Sequence, residues 1–78
     1  MNGYQKNALK RYKNKIEYIY PILCCMVAGN ITNKQAASIA GVNYEHFRSA
    51  MRIPDNGTIT FFENVLEALE NYLGELNK

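Results

Sequence analysis

Two adjacent thiols, one imidazole and a set of cations are the side chains here with chemistry to offer. Cys24 and Cys25 are sequence neighbours, and on a helix neighbours point about 100° apart. A disulfide between neighbours is strained, and metal ligands are normally separated by a turn. The pair therefore reads as two small buried apolar side chains in a reducing cytoplasm. A single histidine leaves no multi-histidine metal site. His46 is flanked by Glu45 and lies near Ser49, yet one helix cannot assemble an oriented nucleophile, base and orienting group from them. The expectation is no enzymatic activity, no cofactor, no metal site and no small-molecule ligand.

The cations are a different matter, because they are segregated. Residues 1–52 carry Lys6, Lys10, Arg11, Lys13, Lys15, Lys34, Arg48 and Arg52 against Glu17 and Glu45, a balance of +6. Residues 53–78 carry Lys78 against Asp55, Glu63, Glu67, Glu70 and Glu75, a balance of −4. Such a split suits a chain with one side facing a polyanion and the other turned away from it. The same pattern also fits a solvated surface with no partner.

These side chains need elements to hold them. With 78 residues, of which 47% are apolar and 21% charged, the composition is that of one globular domain rather than a disordered segment. A large enzyme core, a nucleotide-binding α/β unit and a secreted disulfide scaffold do not fit. No apolar run approaches the ~18 residues of a membrane span, and no signal-peptide pattern is readable.

The apolar spacing predicts an all-α fold of four to five short helices. Leu9, Tyr12, Ile16, Ile19, Leu23 and Met26 recur at intervals of three and four, one face of an amphipathic helix. Tyr12, Tyr18 and Tyr20 fall among these aliphatics and read as core packing or a dimer contact. Pro21 either kinks this helix or separates a helix ending near Tyr18 from one beginning around Pro21. Gly29-Asn30 closes the segment. Thr32-Asn33-Lys34-Gln35 is a capping box opening a short helix with Ala36, Ala37 and Ala40 inward. Asn43 is an N-cap for a third helix, with Phe47, Ala50 and Met51 on one side and Glu45, Arg48, Ser49 and Arg52 on the other. Ile53 to Gly57 is a loop marked by Asn-Gly. A final helix over 58–76 has Phe62, Val65, Leu66, Leu69, Leu73 and Leu76 as its stripe. Glu63, Glu67 and Glu70 lie on its outer side, Thr60 or Thr58 caps it, and Gly74 is a point of fraying.

The two short central helices, over 32–52, form a helix-turn-helix unit. Helices crossing steeply need a small residue at the contact, which Ala37 supplies. The chain must reverse within a few residues, which favours a glycine at positive φ, Gly41. Phe47 pins the second helix on the first. The outer face of the second helix is left free, and such a face can enter a major groove.

Residues 33–47, Asn-Lys-Gln-Ala-Ala-Ser-Ile-Ala-Gly-Val-Asn-Tyr-Glu-His-Phe, resemble the helix-turn-helix of phage repressor and Cro-type proteins. Thr58-Ile59 with Phe62, Val65, Ala68 and Leu69 resembles that family's next helix, and the two blocks stand at the right separation. The likeness covers roughly residues 31–70. Asn33 stands where the family usually has glutamine, Phe47 replaces the usual Val or Ile, and the Trp-Glu-Asn-Gly run after the second helix is absent. The resemblance implies a lambda-repressor-like domain. Asn43, Tyr44, Glu45, Arg48, Ser49 and Arg52 would then lie on the groove-facing side, with Asn33, Lys34 and Gln35 at phosphates. Arg48 would read guanine or grip phosphate, and Glu45 would accept from a cytosine amino group. The basic segment 1–15 is either an arm along the DNA or a frayed, solvated terminus.

The expected function is that of a cytoplasmic regulator binding double-stranded DNA as a homodimer, repressor-like and of the economical kind found in phages and mobile elements. Tyr72, Leu73 and Leu76, or the tyrosine-rich first helix, are the candidate dimer surfaces. The alternative is a protein-binding adaptor or inhibitor on the same fold, such as an antirepressor or anti-defence protein.

Overall fold

The computed structural model describes residues 14–76. The chain forms α1 (Ile16–Ala28), α2 (Asn33–Ala40), α3 (Tyr44–Arg52), a 3-10 turn (Pro54–Asn56) and α4 (Ile59–Leu76). Among the described residues there is no strand, and no helix is long and apolar enough to cross a membrane. The fold is all-α, as the apolar spacing predicts. Leu9 and Tyr12 of the expected first helix, and Lys6, Lys10, Arg11 and Lys13 of the expected arm, lie outside the described residues.

α4 is the central element. α1 packs along one side of it and α2 along another, while α3 rests on α2 and on the 3-10 turn. Tyr18 of α1 stacks on Phe62 of α4 with ring centroids 6.2 Å apart, and the Tyr18 hydroxyl donates to Glu63 at 3.4 Å. At the other end Leu73 sits against the Gly29–Ile31 corner. The two helices therefore run in the same direction. The core is one cluster: Tyr18, Ile22 and Met26 from α1, Ile31, Ala36 and Ala37 at α2, Phe47 and Ala50 from α3, and Phe62, Val65, Leu66 and Leu69 from α4. Among the described residues no buried side-chain nitrogen or oxygen lacks a partner, which removes the costliest kind of packing fault.

The phase of α1 differs from the sequence expectation. Its inward line is Tyr18, Ile22 and Met26, while Ile16 and Leu23, assigned inward by their spacing, are exposed. The helix is apolar on nearly every side, so periodicity alone does not choose the face that α4 covers. Cys24 is likewise exposed and Cys25 half-buried, rather than both buried. α1 runs through Pro21 without a break. The proline removes the N–H that would bond the Glu17 carbonyl, and the remaining helix ladder and the α4 contact hold the element together. At its end Asn30, not Gly29, takes the left-handed conformation, with φ 55°.

α4 also departs in detail. Thr58 caps it, its Oγ1 accepting from the Phe61 N–H at 3.0 Å, so the helix begins before Thr60. It continues through Gly74 without fraying there, Leu76 is exposed, and Glu63 turns inward to Tyr18. Gly57 is buried, and its role is space: a Cβ there would stand 3.1 Å from both Ala50 Cβ and the Phe62 ring.

Candidate nucleic-acid interface

Local sequence builds this face. Thr32 Oγ1 accepts from the Gln35 N–H at 3.1 Å, and Gln35 Oε1 accepts from the Thr32 N–H at 2.9 Å. That reciprocal pair starts α2. Gly41 ends it at φ 71°, and the Val42 N–H then donates to the Ala37 carbonyl at 2.9 Å. Asn43 Oδ1 accepts from the His46 N–H at 2.9 Å and starts α3. Ala37 and Phe47 are both buried in the core.

The residues singled out from sequence are brought to one surface. Asn33, Lys34 and Gln35 are exposed in the first turn of α2, and Glu45, Arg48 and Arg52 are exposed along α3. Tyr44 is half-buried and joins the two groups. Lys34 Nζ lies 5.9 Å from the centroid of its ring and Arg48 Cζ lies 5.7 Å from it. Each cation–π contact is worth about 0.5–1 kcal/mol at an exposed site, enough to bias where a long cationic side chain rests. Arg48 also stands 3.7 Å from Glu45. That pair is exposed and not bidentate, so it costs little to break.

Capping decides the polarity of this surface. The Gln35 and Asn43 side-chain carbonyls accept from backbone N–H groups, and their NH₂ groups can only donate. Ser49 Oγ accepts from Asn56 Nδ2 at 2.6 Å, so the hydroxyl proton remains to be donated. With Lys34, Arg48 and Arg52, the face presents donors and positive charge, interrupted by Glu45. Glu45, Arg48, Ser49, Arg52 and Ile53 line a shallow depression of about 110 Å³. The carboxylates of α4 belong to a different element, so the charge segregation read along the chain is also a segregation between helices.

Two supporting residues escape a reading of the sequence. Asn56 orients Ser49 across the 3-10 turn, and the only sequence signal there is the generic Asn-Gly pair. Phe61 of α4 meets the His46 ring of α3 edge-on, with ring centroids 4.6 Å apart. His46 is exposed and makes this packing contact. No protein-family model, curated protein or solved structure matches the chain.

Proposed function

We propose that this protein is a sequence-specific double-stranded DNA-binding transcriptional regulator of the phage repressor/Cro type, with α3 lying in the major groove. The observation that carries the reading is the donor-rich cationic face shared by α2 and α3 on either side of the left-handed turn at Gly41. Phosphate oxygens accept only, so a surface whose capping amides, hydroxyl and cations all donate is matched to a DNA backbone. Asn33, Lys34 and Gln35 grip phosphate at the start of α2, where the helix dipole adds to their attraction. Asn43, Tyr44 and Ser49 complete the contact around the groove. Arg48 reads a guanine with its planar fork or clamps a phosphate, and Arg52 extends the cationic line. Glu45 is tolerated where it accepts from a cytosine amino group. The proposed setting is a cytoplasmic, repressor-like homodimer on a two-fold symmetric operator, in a phage or other mobile element.

Salt dependence of duplex binding tests this. If Lys34 and Arg52, with or without Arg48, neutralise phosphates, log K against log salt falls with a slope of about −2 to −3 per copy. A steeper slope follows if the basic segment 1–15 also lies on the backbone. Absence of duplex binding at low salt refutes the reading. The second reading is a protein-binding adaptor or inhibitor on the same fold, and Glu45 on the outer face of α3 together with the acidic α4 favours it.

A further inference from the structure

α1 buries one apolar line against α4 and leaves another in water. Ile16, Tyr20, Leu23 and Val27 are spaced by four, three and four residues and are 70%, 75%, 46% and 81% exposed. This is one stripe along a helix. A shallow groove of about 400 Å³ follows it, lined by Tyr20, Leu23, Cys24, Val27 and Ala28. Exposed aliphatics alone are ordinary, but four in register with a groove beside them are a docking face.

We propose that this face binds a second copy of the chain, two α1 helices packing antiparallel across a two-fold axis. This specifies the homodimer proposed above; it does not depend on DNA binding.

Three considerations select a second copy. The first is charge. A two-fold contact sets each patch against itself, so like charges on it repel. No residue from 18 to 28 carries a formal charge. The Tyr20 phenol is held above its ordinary range, chiefly by its hydrogen bond with Cys24, and stays neutral. Antiparallel packing also sets the two helix dipoles favourably. The rival exposed apolar group, Tyr72 and Leu76, shares α4 with Glu67, Glu70 and Glu75, so two copies meeting there bring carboxylates together. Leu73, the third candidate of that group, is packed on the core.

The second is area. Scaling side-chain areas by these exposures gives roughly 400 Å² of apolar surface per copy. At the ~65% apolar content of homodimer interfaces this implies about 600 Å² per copy and about 1,200 Å² in all. That reaches the lower bound of specific interfaces and predicts weak, reversible association. The third is the competing occupant within the chain. Residues 1–13 interleave Tyr4, Leu9 and Tyr12 with four cations, Lys6, Lys10, Arg11 and Lys13, so laying that segment on a stripe of uncharged side chains would draw cations out of water.

The test is sedimentation velocity of the full chain, without DNA, over a concentration series. Wild type should pass reversibly from monomer to dimer in the micromolar range. Val27→Glu places a carboxylate on each side of the axis and should raise the dissociation constant at least about tenfold. Both Val27 and Tyr20 lie outside the core, so circular dichroism should be unchanged; Tyr20→Glu is the second variant and should act alike. Tyr72→Glu on α4 should leave dimerisation intact. A wild-type monomer at every concentration overturns the proposal, whether residues 1–13 or a different protein cover the face. So does a dimer indifferent to both α1 changes, or one lost only in Tyr72→Glu. Because no DNA is present, this result stands apart from the salt titration that tests the DNA-binding reading.

Discussion

Replacing Gly41 with alanine isolates the turn that sets α2 against α3. Gly41 has φ 71°, and a Cβ built on it meets nothing within 4 Å. The penalty is therefore torsional rather than steric, about 1–2 kcal/mol for an alanine in the left-handed region. Alanine also restricts the unfolded chain, which returns about 0.4–1 kcal/mol. The net loss should be about 1 kcal/mol. A domain of this size holds only roughly 4–12 kcal/mol of stability, and such a loss lowers Tm by about 4–8 °C. Urea unfolding followed by far-ultraviolet circular dichroism reads it as a lower midpoint with an unchanged slope. Gly41→Asn is the control, since asparagine tolerates the left-handed region better than alanine, and it should recover part of the loss. An alanine variant as stable as wild type, or an asparagine variant worse than alanine, would refute the argument that this turn requires positive φ.

Three further predictions concern the scaffold under the proposed interface. Asn43→Ala removes the acceptor for the His46 N–H and should cost about 1 kcal/mol in the same urea assay, with Asn43→Ser largely retained. Gly57→Ala, at an ordinary negative φ, should destabilise through crowding against Ala50 and Phe62, and Ala50→Gly should relieve it in a double-mutant cycle. Phe47→Ala empties the fully buried contact between the central helices and should cost about 3–5 kcal/mol, enough to leave a substantial unfolded fraction on gentle heating.

The parts of this fold that are written locally are the parts readable in advance. Thr32 with Gln35, Gly41 and Asn43 act on backbone within three or four residues, so α2, α3 and the turn between them follow from residue type and spacing. Phe47 and Ala37 are legible for the same reason, because a two-helix crossing needs one large and one small residue. α1 is different. With Ile16, Ile19, Tyr20, Ile22, Leu23 and Met26 spread around it, its inward line is chosen by where α4 lies, which is long-range information. Thr58 and Thr60 are both competent caps by residue type, and in the structure Thr58 is the one that accepts from the helix backbone. Pro21 within α1 is a case of tertiary contact outweighing local preference. At the candidate interface the residue types and the outer face of α3 are legible, as is the i,i+4 spacing of Tyr44 and Arg48, whereas the Lys34–Tyr44 contact between helices and the Asn56 support of Ser49 leave no local pattern.

The proposal that the exposed face of α3 reads DNA bases has one decisive test. The most direct measurement is selection of binders from a random duplex pool at near-physiological salt, performed on wild type and on Arg48→Ala. Wild type should enrich a two-fold symmetric motif. The variant should bind more weakly by about 1–3 kcal/mol, with preference relaxed at one base pair of each half-site. Without an enriched motif for the wild type, α3 does not read bases, and a motif unchanged by the variant would remove Arg48 from base reading.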